Sequence, residues 1–175
     1  MRVLTVVSCV ILAGCASPQR AYHAPGWRSS QAMCVAVAPF DNLSQRRQAG
    51  QILTDVMGLE LMMSGKVKVV EPGEVARALR ARPDLAEAPE ALGAAVGAQA
   101  VLAGRVMEYE YRATALGTPV VVVSARLLDA RDGRVLWSAL GAQAGTALLQ
   151  EEDLGRTASD VCRRLVESMT APPRD

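Results

Sequence analysis

Apolar and polar positions divide the chain into three regimes. Residues 3–13 form a short, mostly apolar run directly after Arg2, broken only by Thr5 and Ser8. Residues 16–31 have no apolar period and carry Pro18, Pro25, Gly26, Ser17, Ser29 and Ser30. Such composition predicts a flexible tether, whose sixteen residues span at most ~55 Å when extended. From Met33 onward the apolar positions recur regularly. Residues 33–40 hold no charge, as expected of a central strand, and Pro39 ends its ladder. Asp41-Asn42-Leu43-Ser44 predicts a turn whose side chains cap the next helix.

Ala49, Ile52, Leu53, Val56, Leu59, Met62 and Met63 recur at steps of three and four. They predict a helix over 45–64, stopped by Gly65. Residues 67–71 predict a second strand, parallel to the first because a helix joins them. Helices are expected over 74–81 and 89–96, the second stopped by Gly97. Strands are expected over 100–111, 120–128 and 135–142, with Asp132-Gly133 turning the last pair. Asp153 caps a final helix ending at Met169, with Leu154, Ala158, Val161, Leu165 and Met169 on its buried face. The order β-α-β-α-α-β-β-β-α predicts an α/β fold with a mixed five-stranded sheet and helices packed on it. The domain is expected over 33–170, with a frayed tail at 171–175 after Pro172-Pro173 begins to break the chain.

Composition narrows the function classes. The formal charge is +1, and loss of Arg2 alone brings it to zero. A neutral domain has no general attraction for nucleic acid. The only histidine is His23, inside the expected tether, so a Ser-His-acid arrangement has no base. The glycines between 93 and 104 lack the order of a dinucleotide or phosphate loop and suit helix stopping and close packing. Glu108 and Glu110 share one strand face, where pairing with Arg126 or solvation is the ordinary reading. No catalytic, cofactor-binding or metal-ligating set is expected. Tyr109, Tyr111 and Trp137 are the aromatics of interest: strand-end tyrosines either anchor a partner or pack at the domain's rim. Cys34 and Cys162 are either a disulfide or two buried free thiols.

The start of the chain reads as an export signal: a basic residue, a short apolar run and small residues before a cut site. The run is about half the ~20 residues that a spanning helix needs. Its end, Leu12-Ala13-Gly14-Cys15, resembles the lipobox of bacterial lipoproteins. That resemblance implies removal of residues 1–14, diacylglycerol on the Cys15 sulfur, and a lipidated tether over 15–32. Losing 14 of 175 residues leaves 161, enough for one domain with a core. Ala16 follows the cysteine where an Asp implies retention at the inner membrane, so the resemblance implies the outer membrane.

Three further stretches carry a second resemblance. They are Ser64-Gly65-Lys66-Val67-Lys68-Val69-Val70-Glu71, the passage from Gly97 through Ala103-Gly104-Arg105-Val106, and Leu128-Asp129-Ala130-Arg131-Asp132-Gly133-Arg134-Val135-Leu136-Trp137. Together they resemble the envelope superfamily of the curli-secretion lipoprotein and the lipoprotein activators of penicillin-binding proteins. Its domain is similar to the N-terminal domain of the Tol-Pal translocation protein. The resemblance implies a non-enzymatic periplasmic lipoprotein. It would bind another envelope protein, in assembly of a surface structure or regulation of wall synthesis. The alternative is an oligomeric subunit of a secretion or appendage complex. The short link after Tyr111 departs from the channel pattern, whose membrane hairpins need strands of ~9–11 residues.

Overall fold

The computed structural model describes residues 21–29, 32–113, 117–145 and 153–171. The expected signal segment, Cys15 and the last four tail residues lie outside them. The elements are β1 (Ala21–His23), β2 (Cys34–Val37), β3 (Asp41–Asn42), α1 (Ala49–Ser64) and β4 (Lys68–Val69). They continue with α2 (Pro72–Ala81), a 3-10 turn (Pro83–Ala86), α3 (Pro89–Ala95), β5 (Ala100–Arg112), β6 (Thr118–Asp129), β7 (Val135–Ala144) and α4 (Leu154–Thr170).

The α/β class and the mixed sheet hold, but the sheet has seven strands rather than five. Its order is β1-β7-β6-β5-β2-β4, with β3 also paired to β5. As expected, β2 and β4 are parallel across α1, and β5, β6 and β7 form an antiparallel meander. The first added strand, β1, comes from the stretch expected to be tether and pairs antiparallel with β7. The described part of that stretch is therefore packed on the domain. The second, β3, replaces part of the expected turn. Pro39 does interrupt the ladder: the Phe40 N–H turns away to the Thr54 hydroxyl at 2.9 Å. The chain then resumes, placing Asp41 opposite Arg105 and Asn42 opposite Val106.

The expected helix cap also moves. Asn42 Oδ1 accepts the Ser44 N–H, and Asn42 Nδ2 donates to the Arg46 and Arg47 carbonyls. These bonds hold a loop open up to Gln48, so α1 starts at Ala49 without a side-chain cap. Its stop is as predicted, with Gly65 in the left-handed region at φ 60°. Glu71 caps α2 through the Glu74 N–H, and Asp153 caps α4 through the Arg156 N–H at 2.7 Å.

Strand alternation sends side chains to two layers. On one side Leu53, Met57 and Leu61 of α1, with Val161 and Leu165 of α4, cover Val121, Val123 and Ala125. Each such large side chain stabilises the fold by about 1.5–3 kcal/mol on burial. On the other side Val75, Leu85 and Leu92 cover Ala36, Ala38 and Val101. That second layer sits over β4, β2 and the start of β5. On the same side of β1, β7 and β6, the large side chains Tyr22 and Leu140 remain half exposed.

Candidate functional site

The expected partner residues Tyr109 and Tyr111 lie two apart on β5 and meet different fates. Tyr109 is only 5% exposed and packs in the α1–α4 core, where burial pushes its phenol up. Its ring is not available to a partner. Tyr111 is 45% exposed. Its hydroxyl oxygen accepts the Leu154 N–H at 3.3 Å, which fixes the ring beside the start of α4. The Arg46 guanidinium stands over the same ring, 6.0 Å from its centroid, a cation–π distance. Tyr111 and Arg46 thus form a small, pre-ordered, half-exposed corner with one polar and one cationic tip.

Glu108 does not pair with Arg126. It meets Arg112 at 2.8 Å on the exposed side of β5. Arg105 pairs with Asp41 at 3.1 Å across the β3–β5 edge, also exposed. Exposed pairs of this kind are worth ~0–1 kcal/mol and mark solvated surface. Trp137 is buried, as rim packing predicts, against the same core as Tyr109.

The two cysteines are not brought together, and both are free. Cys34 is half-buried beside the α2–α3 layer, and its backbone N–H donates to Gln99 Oε1. Cys162 is fully buried in the opposite layer, and burial pushes its thiol up to about 12. A thiol that protonated and enclosed is inert. Among the described residues, no three His, Cys, Asp or Glu side chains gather into a metal-holding group.

Sequence reasoning missed the N-terminal stretch. His23 Nε2 donates to the Ser168 carbonyl at 3.0 Å, and the Ser29 hydroxyl donates to the Thr170 carbonyl at 3.3 Å. Both serve carbonyls in the last turn of α4, which no later residue of that helix can reach. Trp27, only 8% exposed, enters the core beside them. A groove of about 650 Å³ runs between this stretch and the β6–β7 turn, lined by Tyr22, Trp27, Met33, Asp129, Arg131 and Arg134 among others. At its rim the Asp129 carboxylate accepts the Arg131 N–H at 2.9 Å. That backbone bond first, and the Arg131 guanidinium second, hold the carboxyl below the usual range. The only sequence signal for β1 was the alternation Ala21-Tyr22-His23, too short to stand out among prolines and serines.

No described helix is long and apolar enough to cross a membrane. PelC from Paraburkholderia phytofirmans, solved as a dodecamer, has the same fold with a TM-score of 0.65 at 24% identity. The match covers 87% of this chain and 98% of that one. Lipoprotein GNA1162 from Neisseria meningitidis matches with a TM-score of 0.60 at 24% identity, over 77% of this chain and 99% of that one. The C-terminal domain of LpoB from Escherichia coli matches at 0.50 and 17% identity, over 70% and 88%. None of the curated proteins matches the chain in sequence. The likeness to the N-terminal domain of the Tol-Pal translocation protein expected from the sequence is borne out, and GNA1162 and LpoB share the fold. The model for the TolB amino-terminal domain matches residues 28–136, more than half of the chain, and the chain belongs to that family.

Proposed function

We propose that this chain is a non-enzymatic lipoprotein, held at the outer membrane by lipid on Cys15, whose periplasmic domain binds another envelope protein. Its work would be assembly of a surface structure or regulation of cell-wall synthesis. The observation that carries this reading is a domain of the TolB amino-terminal family standing directly behind Leu12-Ala13-Gly14-Cys15. The Tyr111–Arg46 corner supports a protein contact there, since aromatic and arginine side chains dominate interface hot spots. Cys15→Ser should abolish palmitate labelling and outer-membrane fractionation. Unchanged labelling in that variant would end the lipoprotein reading. A photo-crosslinker at Tyr111 in intact cells should capture one dominant envelope protein. No adduct above that from Arg80, a site on α2, would remove the corner from the proposal.

A second reading is favoured by one observation, the dodecameric state of PelC. A head-to-tail contact between copies closes into a ring when its rotation permits. Native mass spectrometry of residues 21–175 separates the two readings: a ring favours the oligomeric subunit, a monomer the binding module. The fragment must begin by Ala21 because β1 and Trp27 belong to the folded domain.

A further inference from the structure

Cys15 stands six backbone steps before Ala21, the first residue of β1. Fully extended, six steps span at most ~22 Å. A domain of about 150 residues has a radius of gyration of ~15 Å and measures ~40 Å across. The sixteen-residue tether read from composition allowed the domain to stand clear of the bilayer in any orientation. With residues 21–29 folded onto the sheet and α4, that freedom is gone. A lipid on Cys15 keeps the β1 end of the domain within about half a domain's width of the membrane.

The surface at that end is specific. Ala21 lies opposite Ala139, so the chain enters β1 one register step from Leu140. Tyr22, Ser138 and Arg126 stand in one row across β1, β7 and β6, with Leu140 and Ser124 in the next. Tyr22 is 53% exposed and Leu140 50%. A shallow depression of about 510 Å³ lies between them, floored by Ser124 and Ser138. This is the sheet side that the α2–α3 layer leaves uncovered. Its chemistry matches the zone where lipid headgroups meet acyl chains. Tyrosine sits there with its ring in the apolar part and its hydroxyl in water. Leucine adds apolar area, and the exposed Arg126 suits anionic headgroups.

The geometry points to the occupant of this face: the headgroup layer of the same bilayer that holds the Cys15 lipid, with Tyr22 and Leu140 as the contact. The inference rests on the lipid-anchor reading above. A second copy of the chain would have no comparably short link to this face. Seating it on the bilayer fixes the domain's orientation and turns α1, on the opposite layer, toward the periplasm.

The test uses the lipidated full-length protein in vesicles of phosphatidylethanolamine and phosphatidylglycerol. Environment-sensitive fluorophores are attached to Tyr22→Cys, Leu140→Cys and, on the far side, Met63→Cys. Each is made in a Cys34→Ser background, while the enclosed Cys162 does not react. Labels at 22 and 140 should shift to the blue and lose most of their emission to nitroxide-headgroup lipid; the label at 63 should do neither. Equal quenching at all three sites, in protein that still floats with the vesicles, would overturn the inference. So would a blue shift at 22 and 140 without headgroup quenching, which assigns the face to another protein chain. Loss of flotation indistinguishable from that of Cys15→Ser would instead remove the anchor, and the inference with it.

Discussion

Val106 and Tyr109 project to the same side of β5, although an odd number of positions separates them in a strand. Regular alternation would set them on opposite faces. Val106 pairs with Val123 and Glu108 with Val122, which leaves Met107 without a partner on β6. One extra residue in one strand is a β-bulge, and it exchanges inward and outward positions beyond it. Because of it Tyr109 faces the core, and Glu108 lies outside with Arg112.

The bulge makes a prediction about register. Deleting Met107 removes the extra residue and restores plain alternation, in which Tyr109 stays on the core face with Val106 and Glu108 stays outside. The deletion should therefore cost much less than Tyr109→Ala, for which ~3–5 kcal/mol is the usual range for a large aromatic. Met107→Ala, at a half-exposed and unpaired position, should stay within ~0.5 kcal/mol of the parent. Urea denaturation followed by far-ultraviolet circular dichroism ranks the three. A deletion variant as unstable as Tyr109→Ala would show that the pairing beyond Val106 does not survive without the bulge.

Trp27 tests where the domain begins. Its side chain is buried with the α4 core, so Trp27→Ala should cost ~3–5 kcal/mol. Its indole N–H has no hydrogen-bond partner among the described residues. Trp27→Phe deletes that unpaired donor along with some area, and should therefore lose much less than the alanine variant. A chain starting at Met33 should unfold at lower denaturant than one starting at Ala21. Equal midpoints would return residues 21–29 to the status of a tether.

Much of this architecture was legible because it rests on long periodic runs. The faces of α1 and α4, the caps at Gly65 and Asp153, the parallel pair β2–β4 and the antiparallel meander β5–β6–β7 follow from apolar spacing and turn chemistry. What stayed hidden lacks periodicity. β1 is three residues long and owes its pairing to β7, 116 positions away at the Tyr22–Ser138 pair. β3 is two residues long and exists because β5 extends past the break at Pro39. The bulge at Met107 leaves no local mark; beyond it Tyr109 and Tyr111 share a face, and Tyr111 stays half-exposed at the strand's end. Glu108 found Arg112 rather than Arg126 because it stands opposite Val122, whereas Arg126 stands opposite Ala103.

Asp129 gives the fold a dependence on pH. Its carboxylate closes the β6–β7 turn on the Arg131 backbone N–H, and its pKa lies below the ordinary aspartate value of ~4. A depressed carboxyl adds stability that is complete above the unfolded-state pKa and is lost as pH falls through the folded-state pKa. Asp129→Asn keeps one acceptor but removes the charge, so the variant should be less stable at pH 7. The gap should narrow as pH falls below ~4. Thermal melts of both proteins between pH 7 and pH 2.5 check this. A gap that is constant or widens on acidification would refute the assignment.

At Gly141 α4 packs close against β7. A Cβ at that position would lie 2.8 Å from Val161 Cγ1 and 3.1 Å from Leu165 Cδ1. Replacing glycine inside an element ordinarily stabilises by ~0.5–1 kcal/mol through the unfolded chain. Here the steric term should win. Val161 is β-branched and held to one rotamer in a helix, so its methyl cannot swing aside. Leu165 can turn, but only into a packed core. Overpacking of this kind costs ~1–3 kcal/mol, which leaves Gly141→Ala destabilised on balance. Val161→Ala removes the obstructing methyl and by itself loses packing. In the double variant the two methyl groups exchange places, so the combined loss should fall short of the sum of the single losses by ~0.5–3 kcal/mol. Strict additivity in a double-mutant cycle would mean that α4 stands farther from β7 at this point than the contact implies.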